Sequence, residues 1–240
     1  MTIAEAPVLV NSERQARFNG LVPVLNTMNA LVVGCGSIGS HLVAMLSRMC
    51  PASIYIVDYD KVAVVNLGVQ DFTTDDVGEY KADVLSAKYG LGPRTVVLPY
   101  LMKFEEFSTN LLVNRIKAIT HVFMCVDTML TRQHIFQSLI ENSYDRIIVD
   151  GRLDANVGWV YAARKQLTSK WFGTSLYGDE EVIKVDNHCA VQMTGYSAHG
   201  IAALMVGQAM RFSQDDSLIN ERIGMDYNHM LFFPADYKGE

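Results

Sequence analysis

No CxxC pair occurs among the four cysteines, Cys35, Cys50, Cys125 and Cys189. Thiols this widely spaced suggest neither a disulfide framework nor a four-thiolate zinc site, so reduced cysteines in a cytosol are expected. Long apolar runs are missing too. The most apolar stretch, Gly200 to Gly207, is broken by Gln208 and Arg211, far short of the about 20 residues that span a bilayer. The N-terminal MTIAEAPVLVNSERQ carries Glu5 and only a short apolar stretch, unlike a secretory signal. Positive charge is in deficit: 20 Lys plus Arg against 26 Asp plus Glu give a formal charge of −6. That balance argues against a broad nucleic-acid or anionic-membrane surface while leaving room for a local basic pocket. Repeats, low-complexity tracts and Pro/Ser linkers are also lacking. The 240 residues therefore read as one domain over 1–240, soluble and cytoplasmic, with no nucleic-acid or membrane partner.

Half of the residues are apolar and 19% are charged, a globular composition. Asn29-Ala-Leu-Val-Val-Gly34 is a continuous apolar run ending at glycine, the pattern of a parallel strand buried on both faces. A glycine-rich turn follows. Leu42, Met45, Leu46 and Met49 then recur at helical spacing before Pro51, and Ser53 to Asp58 reads as a second strand. Farther on, Val77–Tyr89, Glu106–Ile116 and Thr128–Ser143 are expected helices, with Thr128 as a cap. Thr95–Leu101, His121–Asp127 and Arg146–Asp150 are expected strands. This alternation predicts an α/β, Rossmann-like fold, a mainly parallel sheet with helices on both faces. Past Asp150 the pattern changes. Val157–Ala163 reads as an antiparallel strand, Gln166–Asn187 as irregular, Ser197–Phe212 as a helix, and Tyr227–Tyr237 as an aromatic strand interrupted by Pro234. Antiparallel strands are thus added at the C-terminal end.

The turn Gly34-Cys-Gly36-Ser37-Ile38-Gly39 has the GxGxxG pattern between a strand and a helix. Its glycines permit a tight turn and close backbone approach, and the helix N-terminus offers unpaired N–H groups to phosphate. Asp58 lies 19 residues after Gly39 at a strand end, where a carboxylate accepts hydrogen bonds from ribose hydroxyls. Up to this point an NAD(P)-dependent dehydrogenase fits as well as an ATP-binding protein.

The residues after Asp58 separate the two readings. Asp58-Tyr-Asp60 leads to Asn66-Leu-Gly-Val69-Gln70-Asp-Phe72, then Asp76-Val-Gly78-Glu-Tyr-Lys81-Ala82, and later Cys125-Val-Asp127-Thr128 with Arg132. Leu91-Gly92-Pro93 stands between them. This ordered set resembles the ThiF/MoeB/HesA adenylyltransferases, relatives of the ubiquitin-activating enzymes, over roughly Ser12 to Phe212. The resemblance implies ATP-dependent adenylation of a protein or peptide C-terminal carboxylate, such as that of a ubiquitin-like or sulfur-carrier protein, by a homodimer. It further implies that Gly34, Gly36, Ser37, Ile38 and Gly39 floor the nucleotide site, and that Asp58 holds the ribose with Asp60 beside it. Asn66 and Gln70 would orient phosphate oxygens, Lys81 would neutralise phosphate charge, and Asp127 would bind Mg²⁺. Read without the resemblance, Lys81 is a solvated helix lysine and Asp127 a carboxylate near a helix N-terminus.

Two departures from the family pattern stand out. Val69 occupies the place of an arginine before Gln70, removing a phosphate contact of the kind that contributes about 1.5–3 kcal/mol. Arg14 and Arg17 are the candidate substitutes, since many relatives insert an N-terminal arginine into the partner subunit's site. The zinc knuckle of many relatives is absent as well. Cys189, following His188 and preceding the last long helix, is the candidate to receive an activated acyl group; the alternative is an inert thiol at the start of a helix. Because of Val69, a degenerate ATP-binding partner subunit is a third reading beside the adenylyltransferase and the dehydrogenase.

Overall fold

A computed structural model describes residues 27–49, 51–90, 95–110, 118–141, 145–164, 175–176, 193–214 and 222–233. The strands are β1 (Asn29–Val33), β2 (Ser53–Val57), β3 (Val96–Tyr100), β4 (His121–Met124), β5 (Ile147–Asp154), β6 (Val157–Arg164), β7 (Arg222–Asp226) and β8 (Leu231–Phe233). The helices are α1 (Ser37–Met49), α2 (Lys81–Tyr89), α3 (Phe104–Asn110), α4 (Met129–Glu141) and α5 (Gly195–Gln214). One eight-stranded sheet runs in the order β3-β2-β1-β4-β5-β6-β7-β8. Its β3-β2-β1-β4-β5 part is parallel, and β6, β7 and β8 continue it antiparallel. The fold class read from the sequence is the one observed.

The apolar run in β1 is continuous because both faces of that strand are covered. Ala30 and Val32 join a core with α1, α2 and α5, while Leu31 and Val33 face the opposite core with Phe104, Phe107 and Ile135 from α3 and α4. Strand order reverses at β1: the chain proceeds outward to β2 and β3, then returns to place β4 on the other side. In open α/β sheets the crevice above the carboxyl ends at such a reversal is where ligands bind.

Several boundaries differ from the sequence expectation, and three of the differences have a clear physical reason. The helix expected from Val77 begins at Lys81, because Val77 is extended and Gly78 takes φ +95°. Lys81 instead opens α2, donating its backbone N–H to the Asp60 carbonyl at 2.9 Å. The strand Arg146–Asp150 runs on to Asp154, since its last residues pair with β6 in a hairpin. The aromatic tail is a second hairpin. Arg222–Asp226 is a strand that sequence reasoning missed, and Tyr227 lies in the turn before Leu231–Phe233. Among the described residues no helix is long and apolar enough to cross a membrane.

Candidate nucleotide site

Gly34 follows β1 at the topological reversal, with φ +91°. A Cβ there would stand 2.6 Å from the Cys125 carbonyl oxygen, just beyond β4, so the two strand ends approach closely only because residue 34 lacks a side chain. A Cβ on Gly39 would collide with the Gly34 carbonyl oxygen, so the third glycine brings α1 down onto the turn. Gly36 differs: a Cβ there meets nothing within 4 Å and would project into the open space above the turn. That is the space a phosphate needs. Ser37 begins α1 half-buried, Ile38 sends its side chain into the core, and the first turn of α1 contains no acidic residue. Ile38 can therefore offer a ligand only its backbone.

Asp58, just past β2, is 9% exposed and braces this turn. Its Oδ2 accepts the Cys35 N–H at 2.6 Å and its Oδ1 accepts the Asp60 N–H at 2.7 Å. Burial holds its pKa above the ordinary carboxylate value, with the two N–H bonds and the nearby Lys81 ammonium opposing that shift only in part. Each carboxylate oxygen keeps a second lone pair for a ribose hydroxyl. Lys81, 6% exposed, reaches Asp60 Oδ2 at 3.1 Å, and the Asp60 side chain is half exposed. A nearly buried ammonium is thus paired to a carboxylate that water still reaches. The bland reading of Lys81 as a solvated helix lysine does not hold.

Asn66 closes a short helical turn, Val64–Asn66, with its Oδ1 accepting the Ala63 N–H at 2.8 Å. Its amide Nδ2 is the end left to donate. Gln70 buries its Oε1 with no donor among the described residues, carrying hydrogen-bonding capacity that the fold itself does not use. Asp127 is exposed three residues beyond β4 and precedes Thr128, whose Oγ1 caps α4 by accepting the Thr131 N–H at 3.3 Å. It shares the carboxyl edge with Gly34 and Asp58 but bonds to none of them. Arg14, Arg17 and Cys189, together with Cys50 and His188, lie outside the described residues. The Cys35 and Cys125 thiols are both pushed up by burial, consistent with packing roles and not with nucleophiles.

Sequence reasoning passed over Asp150 and Arg152, which with Arg132 form a buried charged cluster. Asp150 is fully buried in the middle of β5, level with Met124 at the end of β4, receiving Arg132 Nε at 2.9 Å and Arg152 Nε at 2.7 Å. Arg152 also donates from Nη1 and Nη2 to the Ser175 carbonyl and Oγ, both at 2.9 Å. The only signal was a strand ending in Asp followed by Gly-Arg. No local pattern reveals that Arg132, from α4, supplies the second guanidinium.

A family model described as the ThiF family matches residues 16–237. Ubiquitin-like modifier-activating enzyme 5 of Drosophila mojavensis is 24% identical over 220 residues, covering 85% of this chain and 54% of that protein. The enzyme of the same name from Culex quinquefasciatus is 23% identical over the same shares. The chain thus spans about half the length of these relatives. Among solved structures, E. coli MccB with ATP superposes with TM-score 0.69 at 16% identity, over 88% of this chain and 64% of that one. PaaA superposes with TM-score 0.71 at 14% identity, over 93% and 72%. MccB has also been solved with AMPCPP and MccA. With the family match extending over most of its length, and with glycine turn, strand-end Asp58 and Lys81 joined at the sheet reversal, the chain belongs to the ThiF family.

Proposed function

We propose that this protein is an ATP-dependent adenylyltransferase acting on a C-terminal carboxylate of a protein or peptide, a ubiquitin-like or sulfur-carrier protein being the substrate class. One observation carries the reading. An unbroken chain of bonds runs from the glycine turn through Asp58 and Asp60 to Lys81, beside open space above Gly36. The relatives named as activating enzymes and the likeness to a protein solved with ATP support it.

In this reading the N-terminus of α1 and the turn amides bind phosphate, and Asp58 accepts from the ribose while its two N–H bonds favour its ionised form against burial. Asn66 Nδ2 and the Gln70 amide orient phosphate oxygens. A substrate carboxylate oxygen attacks the α-phosphorus, forming a P–O bond as the bond to pyrophosphate breaks. Lys81 leaves the solvated Asp60 to meet the charge that develops there. Asp127 is the side chain offered to Mg²⁺, which would neutralise the departing pyrophosphate when bound. Arg14 and Arg17 would complete the partner subunit's site in a cytoplasmic homodimer, and Cys189 would accept the acyl group where a thioester is formed.

The direct test is ATP–pyrophosphate exchange by the purified protein with Mg²⁺ and carrier proteins ending in glycine. Exchange above background is expected, and none with any carrier overturns the reading. Val69 in place of the family arginine favours a second reading, a partner subunit that binds ATP without turning it over. ATP binding with exchange appearing only on adding a second protein selects that reading.

A further inference from the structure

The loop that carries Asn66 and Gln70 is gripped by two consecutive residues of α1. Ser40, fully buried, accepts the Asp71 N–H on its Oγ at 3.0 Å. His41, 7% exposed, donates from Nε2 to the Val69 carbonyl at 3.1 Å. The same helix that follows the glycine turn therefore sets the position of the residues assigned to the phosphates. His41 is held in turn from a third element. His199 of α5 stacks on its ring with centroids 3.5 Å apart and planes inclined by 27°. His199 is itself oriented, donating from Nδ1 to the Gly195 carbonyl at 2.8 Å, one turn back along α5. The start of α5 also abuts the loop directly: a Cβ on Gly195 would lie 3.5 Å from the Gly68 carbonyl oxygen.

The chemistry of the pair fits a fixed tautomer. Burial first, then His199, hold the His41 pKa below its ordinary value, with Lys88 acting in the same direction and Asp71 and the Val69 carbonyl opposing. A neutral imidazole has a single N–H, and here the Val69 carbonyl takes it. A carbonyl cannot donate, so the ring must present Nε2–H to the loop. Rotation about the terminal side-chain torsion, ordinarily broad for histidine, is blocked by the ring stacked against it.

We infer that His41 and His199 form a positioning pair for the phosphate end of the nucleotide: His41 fixes the Asn66–Gln70 loop through the Val69 carbonyl, and His199 fixes His41. Neither ring is assigned contact with substrate. The inference rests on the nucleotide reading of the site for its consequence but not for its geometry, so its test begins without nucleotide.

Amide hydrogen exchange of the ligand-free protein compares wild type with His41→Ala, His41→Gln, His199→Ala and His199→Phe. Expected is exchange faster by about tenfold at Gln70 and Asp71 in His41→Ala, corresponding to one lost hydrogen bond, with β1 and β4 unchanged. His41→Gln, which keeps a side-chain N–H donor, recovers most of the protection. His199→Ala gives an intermediate effect and His199→Phe, which preserves the stack, gives none. Affinity for the non-hydrolysable analogue AMPCPP follows the same order, weakening about tenfold in His41→Ala. Unchanged exchange at Gln70 and Asp71 in a folded His41→Ala overturns the inference. Should that variant not fold, His199→Ala, altered at an exposed position, decides it alone: no change in the loop overturns the pairing. A wild-type protein that binds no AMPCPP defeats the nucleotide reading instead, while the exchange result still judges the pair.

Discussion

Cys35 donates its backbone N–H to Asp58 Oδ2 across 2.6 Å, so the carboxylate at the end of β2 holds the glycine turn at the end of β1. Asp58 thereby braces the turn, and in the proposed reading it also receives the ribose. Asp58→Ala leaves the Cys35 and Asp60 N–H groups without their acceptor. It is expected to cost about 1–3 kcal/mol of stability and to weaken ATP binding about tenfold. Urea denaturation and calorimetric titration read the two effects separately, and full affinity in a destabilised variant would confine Asp58 to bracing.

Lys81 is nearly buried, but its partner Asp60 is half exposed. Lys81→Met keeps the stem and leaves Asp60 hydrated, so the melting temperature should move by no more than a few degrees. Pyrophosphate exchange should fall about 100-fold or more, the scale of losing a charge aimed at a developing anion. Lys81→Arg should recover part of it. Exchange that survives Lys81→Met would falsify the catalytic assignment.

Asp127 is exposed and, among the described residues, makes no hydrogen bond or ion pair. Asp127→Asn should leave stability within about 0.5 kcal/mol of wild type. The Mg²⁺ concentration giving half-maximal exchange should rise about tenfold. An unchanged Mg²⁺ dependence argues that the ion is held by the triphosphate and other groups.

Asp150 is fully buried between Arg132 and Arg152. Asp150→Ala strands two guanidinium groups against one another and should destabilise the fold by about 3–5 kcal/mol. Chemical denaturation measures this loss, and a cost under about 1 kcal/mol would mean that Arg132 and Arg152 find other acceptors.

His121 is buried, with Nδ1 beside Thr120 Oγ1 and Nε2 beside Ser213 Oγ, both at 2.8 Å. Burial, aided by Arg164, lowers its pKa from 6.5 to about 4. Between those values the unfolded chain binds the proton and the folded one does not, so stability falls as pH drops through that window and levels off below it. The loss should reach about 3 kcal/mol between pH 7 and pH 4. His121→Leu should flatten this part of the profile in denaturation series at several pH values; an unaltered slope would assign it to other groups.

The amino-acid order announced the scaffold well. A continuous apolar run ending in GxGxxG means a strand buried on both faces, because only a parallel strand covered by helices excludes polar residues so completely. Val77–Tyr89 was harder to read. Its helical spacing is real, but Gly78 in the left-handed region breaks it and moves Lys81 to the first turn of α2, beside Asp60. The strand Arg222–Asp226 escaped because its arginine, glycine and aspartate imitate a loop, and only pairing with β6 makes it a strand.

Sequence by itself determined the sheet's parallel half, the glycine turn and the identity of the groups brought to it, since strand burial, helix spacing and the left-handed φ of glycine are local properties. Tertiary structure alone decided that Lys81 would be buried against Asp60, that Arg132 and Arg152 would share Asp150, and that His41 would meet His199 across 157 intervening positions of chain. Such meetings depend on how helices settle on a common sheet. Hydrogen bonds and ring contacts between residues far apart in sequence leave no periodic trace in either segment.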